Sequence, residues 1–227
     1  MSAQAASARP DEHFMRAEHI AANYSPVRHI MTTLSIAAAI LTLAIALATR
    51  ATGGDWLLFP AFFFVANAIE WTVHRFPMHH PLTPRIMYKN HAQLHHLAFT
   101  EDSMPVNEPR ELDLVMMPWY TMIGLFVVTS PVIIGAALVR GPGVAGVFLI
   151  AAVMYFLMYE LMHGLYHLPE ATLARLGLRP GGVFYRLRTH HTRHHVLRRM
   201  AHVNFNVTIP FMDLVMGTRE KRSPPVS

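Results

Sequence analysis

The histidines of this sequence carry its clearest chemical signal. Thirteen of the 16 histidines fall within three short stretches, 74–96, 163–167 and 190–202. A neutral imidazole is a common metal ligand, and it suits zinc, copper, iron and nickel alike. Ten of these histidines recur at spacings that could bring their rings together: His74, His79, His91, His95, His96, His163, His167, His191, His194 and His195. The sequence therefore predicts a metal centre built from imidazoles.

The helical repeat predicts which of these rings share a face. Residues four apart lie one above the other on a helix, so His91 and His95 could bind the same metal ion. The same spacing relates His163 to His167, and His191 could pair in this way with a member of the doublet that follows it.

Two doublets, His95-His96 and His194-His195, have a different geometry. Neighbouring residues on a helix point about 100° apart, because the helix has about 3.6 residues per turn. The two rings of a doublet cannot easily bind one ion. We therefore expect each doublet to serve two metal ions that lie side by side.

The first histidine pair does not fit a regular helix. His74 and His79 would point about 140° apart on a continuous helix. Pro77 lies between them and removes a backbone donor, so we expect the helix to loosen there and to bring His79 back toward the face of His74. His80 follows directly, and either member of this doublet could be the second ligand.

The number of candidate ligands indicates two metals. A structural zinc site closes with four ligands, whereas ten imidazoles would supply two ions with four or five each. The sequence has no cysteine, which excludes disulfides, thiolate metal sites and iron–sulfur clusters. Six further histidines are interpreted differently, as ordinary side chains (His13, His19 and His29) or as outer or solvent-facing neighbours of the clusters (His80, His190 and His202).

Two carboxylates accompany the histidines near the ends of apolar segments. Glu70 precedes His74 by one helical turn, and Glu160 stands three residues before His163. A charge in an apolar span is costly, so a functional role is the first hypothesis for each. We expect both to accept the outer N–H of a ligating histidine, with direct metal ligation as the alternative.

Long apolar segments must position these residues. Apolar residues make up 52% of the 227-residue chain and charged residues only 15%, where a soluble domain has about 25%. The apolar residues are concentrated in four long runs, and a helix of about 20 apolar residues can cross a hydrocarbon layer of about 30 Å. Pro118 and Pro131 should bend or break the third run, and Pro169 should stop the fourth. The predicted spans are about 31–49, 56–73, 114–139 and 144–168.

The distribution of charge predicts the orientation. The connections on the side opposite to the histidines hold only Arg50, Asp55 and Arg140, which places the histidine-rich side in the cytoplasm. The net charge of +5 is interpreted as belonging to cytoplasmic loops rather than to a nucleic-acid site, since motifs of nucleic-acid binding are missing. Residues 1–28 have no features of a cleaved signal. We expect a cytoplasmic segment 1–30, a membrane domain 31–218 and a tail 219–227.

The histidine motifs HX4H, HX3HH, HX3H and HXXHH, in this order, resemble those of the fatty acid hydroxylase/sterol desaturase superfamily of membrane di-iron oxygenases. The likeness runs from about 56 to 218. The doublet His79-His80 departs from the pattern. The segments that carry the resemblance are EWTVHRFPMH at 70–79, YKNHAQLHHLAF at 88–99, YELMHGLYHLP at 159–169 and HHTRHH at 190–195.

The resemblance implies an all-α fold, a four-helix transmembrane bundle with a cytoplasmic cap in which the ten histidines hold two iron ions. Zinc could replace iron in purified protein. The implied activity is the hydroxylation of a lipid, above all a fatty acyl chain, with O2. Electrons would come from a separate donor protein, because only about 30 residues precede the first span. Lipid desaturation and carotenoid or sterol hydroxylation are the alternatives within the superfamily, and a non-catalytic metal-binding membrane protein is the alternative outside it.

Overall fold

The computed structural model of the chain describes residues 16–220, which contain helices and no β-strand. The predicted all-α fold is confirmed. Two π-helical segments, His74–Met78 and Lys89–His95, and a 3₁₀ helix, Pro109–Leu114, interrupt the α-helices. The α-helices from residue 26 onward are α1 (Pro26–Ala48), α2 (Gly53–Trp56), α3 (Phe59–Val73), α4 (Arg85–Tyr88), α5 (His96–Ala98), α6 (Thr121–Arg140), α7 (Pro142–Tyr166), α8 (Glu170–Arg175), α9 (Val183–His194) and α10 (Phe211–Val215).

Within residues 16–220, four helical segments are long and apolar enough to cross a membrane, as the apolar runs predict. They are Pro26–Ala48, Gly53–Met78, Thr121–Arg140 and Pro142–Tyr166. The predicted third span, 114–139, starts too early. Residues up to Leu114 form the 3₁₀ helix, Pro118 lies in the connection, and α6 begins only at Thr121.

Of the bend or break expected at Pro131, the break does not occur. Pro131 lies inside α6, and the helix continues to Arg140. Proline has no N–H to donate to the carbonyl four residues earlier, which here belongs to Val127. The hydroxyl of Ser130 donates to that carbonyl at 2.8 Å. A neighbouring side chain thus satisfies the acceptor that would otherwise be left unpaired in lipid.

Helix α7 is the centre of the bundle. In the most apolar 18 residues of α7, 56% are buried, compared with 11–17% in the other three spans. Helix α7 packs against α1, α3 and α6. Its close approach to α1 requires small residues. A Cβ atom on Gly146 would lie closer than 3.0 Å to the backbone of Ala44 and Ala48. Small residues at helix contacts are typical of association within membranes.

The chain alternates direction so that α3 and α7 end at the same side of the bundle. At the opposite side, the Arg140 guanidinium and the Asp55 carboxylate form an ion pair at 3.0 Å. Beyond the ends of α3 and α7, the segments 79–118 and 167–220 fold together, and we call this part the cap. The cap and the two helix ends enclose the histidine clusters.

Candidate metal centre

Two compact groups contain all ten of the histidines that the spacing singled out. In each group five ring nitrogens, one from each histidine, lie within 4.8 Å of one another, and all ten residues are buried. No carboxylate belongs to either group. Group A consists of His74, His79, His91, His96 and His194, and group B consists of His95, His163, His167, His191 and His195.

The two π-helical segments decide which histidines share a group. A π-helix bonds residue i to i+5, so that residues five apart come to one face. His74 and His79 meet in this way, with Pro77 inside the segment, and their rings stack at 5.1 Å between centroids. The expected loosening at Pro77 is therefore present. His91 likewise joins His96 rather than His95, so the predicted pair of His91 with His95 is wrong.

Regular helical spacing explains the other pairs. His163 and His167, four apart at the end of α7, both belong to group B. His191 joins His195, again four residues away, while His194 belongs to group A. Both predicted doublets thus divide between the two groups, as expected from the angle between neighbouring residues.

The Nε2 atoms of each group point at one another. Two nitrogens that bind one metal at about 2.1 Å and at a right angle lie about 3 Å apart. The arrangement therefore has the dimensions of one ion per group. Neighbouring Nε2 atoms are 2.8–3.3 Å apart in the pairs His74–His91, His91–His96, His79–His194, His95–His163, His167–His191 and His191–His195.

Hydrogen bonds at Nδ1 fix the protonation of five of the ten rings. A carbonyl can only accept, so each ring that faces one carries its proton on Nδ1 and presents a lone pair at Nε2. Lone pairs that converge without a proton between them repel one another, and a cation removes that repulsion. The bonded pairs are His74 with Phe205, His194 with Val203, His95 with Leu114, His167 with Met104 and His195 with Phe99.

Burial keeps the rings neutral. Desolvation, followed by the charge of nearby histidines, lowers the pKa of His91 and His96 well below the ordinary value of 6.5. The pKa of His95 falls to about 4, again mainly through desolvation. At neutral pH these imidazoles are therefore in the form that binds metals.

One loop of the cap supplies the carbonyls of group A. In the loop 203–208, the backbone N–H groups of Phe205 and Asn206 donate to Asp213 at 2.9 and 2.8 Å. Those of Val207 and Thr208 donate to Glu70 at 2.6 and 3.1 Å. Glu70 therefore holds the loop, and Asp213 is a functional residue that the histidine spacing did not reveal.

Glu160 holds the connection between the 3₁₀ helix and α6. Its Oε1 accepts the backbone N–H of Met117 at 3.2 Å, and its Oε2 has no hydrogen-bond partner among the described residues. Among the described residues no hydrogen bond joins Glu70 or Glu160 to a ring of either group, so the prediction that they accept N–H groups of ligating histidines is wrong. Backbone carbonyls accept the Nδ1–H of five of the ten rings. Both carboxylates also lie outside the two groups of potential ligands.

The remaining histidines stand apart from the two groups. Of the doublet at 79 and 80, His79 lies in group A, whereas His80 is exposed and bonds the Arg75 carbonyl at 2.9 Å. His190 supports group A indirectly, since its Nε2 bonds Asp213 at 3.0 Å. His13 lies outside the described residues. Of the others, His19 and His202 are exposed, and His29 bonds the Met117 carbonyl at 3.0 Å.

Comparison with known proteins agrees with this geometry. A family model described as "Fatty acid hydroxylase" matches residues 59–218, a range that contains all ten histidines of groups A and B. No curated protein and no solved structure matches the chain significantly. The match covers more than half of the sequence and the whole of the candidate centre. The chain therefore belongs to the fatty acid hydroxylase family, within the fatty acid hydroxylase/sterol desaturase superfamily.

Proposed function

We propose that this membrane protein is a di-iron oxygenase that hydroxylates a lipid, with a fatty acyl chain as the leading substrate. It would use O2 and electrons from a separate donor protein. The observation that carries the proposal is the pair of buried five-histidine groups with inward-facing Nε2 atoms. A site of ten imidazoles without thiolates suits iron, and family membership agrees with that choice.

Two iron ions held by groups A and B would supply the redox chemistry by which O2 oxidises an unactivated C–H bond. The chain's own contribution is to orient the ligands and to exclude water. The carbonyls of Phe205 and Leu114, for example, hold the Nδ1 protons of His74 and His95 and so fix both rings. Burial of all ten rings keeps bulk water away from the reacting atoms.

The location of the two groups supports a lipid as substrate. His74 lies in the membrane-crossing segment Gly53–Met78, and His163 lies in the segment Pro142–Tyr166. Each stands near the end of its segment that meets the cap. An acyl chain in the bilayer could therefore reach the centre without crossing water, which would be unfavourable for so apolar a molecule.

The proposal also places the cap and the termini in the cytoplasm and the membrane domain at residues 31–218. The loops at the other side carry only Arg50 and Arg140 among the basic residues. Lysine and arginine are retained on the cytoplasmic side of membrane proteins.

A comparison of cellular lipids tests the function. Cells that express the wild-type chain should contain a lipid with one added oxygen atom, which is missing from cells that express His194→Ala. Loss of two hydrogen atoms would identify a desaturase instead, and a product among carotenoids or sterols would redirect the substrate. No difference in any lipid, together with a purified protein that holds a single zinc ion, would contradict the oxygenase and favour a non-catalytic metal protein.

A further inference from the structure

We infer that Arg16 is a positioning residue for the metal at group B, and this rests on the proposed binding of metal by that group. Arg16 precedes the first transmembrane helix, yet only 3% of its side chain is exposed. Arginine is rarely buried to this degree unless its donors are satisfied. Its partners lie 82–95 residues further along the chain, in the part of the cap that faces group B.

The guanidinium of Arg16 binds three backbone carbonyls of one loop. Its Nε donates to Ala98 at 2.7 Å, one Nη donates to Ser103 at 2.5 Å, and the other donates to Pro105 at 3.0 Å. The planar guanidinium offers five N–H donors in a rigid arrangement, so it can hold several acceptors at once. The loop is thereby closed around a single side chain.

Two further contacts fix the guanidinium itself. The Glu111 carboxylate accepts from Nη1 at 2.8 Å, and the ring of Phe99 lies 4.3 Å from the guanidinium carbon. Glu111 also accepts the backbone N–H of Asn107 at 2.9 Å, which ties the start of the 3₁₀ helix to the same point.

The carbonyls that Arg16 binds alternate with those that orient group B. The Phe99 carbonyl, next to Ala98, accepts the Nδ1–H of His195 at 2.5 Å. The Met104 carbonyl, between Ser103 and Pro105, accepts the Nδ1–H of His167 at 2.8 Å. Arg16 therefore sets the position of the two acceptors that orient these rings.

The 3₁₀ helix that follows this loop supplies the acceptor for a third ligand. Leu114, at the end of the 3₁₀ helix that contains Glu111, accepts the Nδ1–H of His95 at 2.8 Å. Group A takes its two carbonyls from the separate loop 203–208, which Asp213 and Glu70 hold. A change at Arg16 should consequently weaken one metal site and leave the other in place.

Arg16 lies outside residues 59–218, the range that the family model matches. A purely structural role would be to tether the segment before α1 to the cap. That role predicts lower stability but an unchanged affinity of the folded protein for metal. Metal binding therefore separates the two roles.

The test is a titration of purified, metal-free protein with Co²⁺ in detergent. The wild type should bind two ions. Arg16→Met should bind one as before and the other about 10–100-fold more weakly, the usual cost of losing a residue that orients a ligand. Arg28→Met is the matched control, because the Arg28 side chain is exposed and, among the described residues, bonds only the Asn23 carbonyl. Its two affinities should equal those of the wild type.

Double variants identify the affected site. In His167→Ala, which impairs group B, the further change Arg16→Met should leave the remaining strong site unaltered. In His194→Ala, which impairs group A, the same change should weaken the ion that remains. The opposite pattern would overturn the assignment of Arg16 to group B.

Circular dichroism shows whether each variant keeps its helices. If Arg16→Met does not fold, Arg16→Lys decides, since it keeps the charge but loses the planar set of donors, and its second ion should bind more weakly. Two ions with unchanged affinities in the folded Arg16 variant would refute the positioning role alone. A wild-type protein that binds no Co²⁺ would instead refute the proposed metal centre.

Discussion

The most informative single substitution is Glu70→Gln, because it changes one atom of a carboxylate that organises the loop beside group A. Glu70 accepts five hydrogen bonds. Two come from the backbone of Val207 and Thr208, and three come from the side chains of Tyr155, Thr208 and Asn206. The whole set is buried, so no water can replace a lost partner.

The size of the effect follows from these donors. The glutamine oxygen could still accept both backbone N–H groups, which leaves its NH2 group facing the side-chain donors. The hydroxyls of Tyr155 and Thr208 can rotate and accept, but the amide N–H of Asn206 cannot. One buried donor left unsatisfied costs about 1–3 kcal/mol. If the loop moves to satisfy this donor and the same free energy is lost from metal binding, the affinity at group A falls by about 5- to 150-fold.

The loop transmits this cost to the centre through His74, whose Nδ1 proton is held by the Phe205 carbonyl. Co²⁺ titration and thermal unfolding in detergent should therefore show a weaker ion at group A, a lower melting temperature, or both. The exposed Glu101 provides the control Glu101→Gln, which should change neither. Wild-type affinity together with wild-type stability in Glu70→Gln would refute the role of the carboxylate as the anchor of this loop.

Four further substitutions extend these expectations. His194→Ala should abolish lipid turnover while circular dichroism still shows the helices, and turnover at the wild-type rate would remove His194 from the metal ligands. Glu160→Ala removes the acceptor of the Met117 backbone N–H and should lower the free energy of unfolding by about 1–3 kcal/mol, and an unchanged stability would contradict its role in holding that connection. Gly146→Leu should prevent α1 from packing on α7 and lower the melting temperature, and an unchanged melting temperature would mean that the contact is dispensable. Burial would raise the pKa of Asp213, but hydrogen bonds, led by that of His190, lower it below 3.8, so the stability it provides is complete above about pH 4 and is lost as the pH falls further. Thermal unfolding of Asp213→Asn should accordingly depend less on pH in this range, and equal pH dependence would contradict the assignment.

Local patterns in the sequence predicted the helices well, because hydropathy and proline positions act over a few residues. The starts of α1 and α6 differed from the prediction: α1 begins at Pro26 rather than at residue 31, and the apolar residues before Thr121 belong to the cap rather than to the membrane. The membership of the two groups was harder to predict. His91 pairs with His96 because Lys89–His95 is a π-helix, and nothing in that segment, which lacks proline, signals the altered repeat.

The roles of residues that act through long-range contacts could not be predicted from the sequence. Arg16 is one basic residue in a polar segment, and its proposed role depends on hydrogen bonds to carbonyls more than 80 residues away. Asp213 gave a weak signal, as the one charged residue in the stretch 203–216. Glu70 was singled out for a good reason, the cost of a buried charge, but spacing cannot tell whether the carboxylate meets a ring or a backbone N–H.

The order of the histidines along the chain has a consequence for biosynthesis. If the two groups bind metal as proposed, group A includes His194 and group B includes His195, both at the end of α9, although the earliest ligand is His74. Ribosomal synthesis is vectorial, so all four transmembrane helices emerge before either ion can acquire its full set of ligands. A chain truncated before residue 194 can insert its helices but cannot complete a site. The complete ligand sets would therefore form only after the last membrane span has been synthesised.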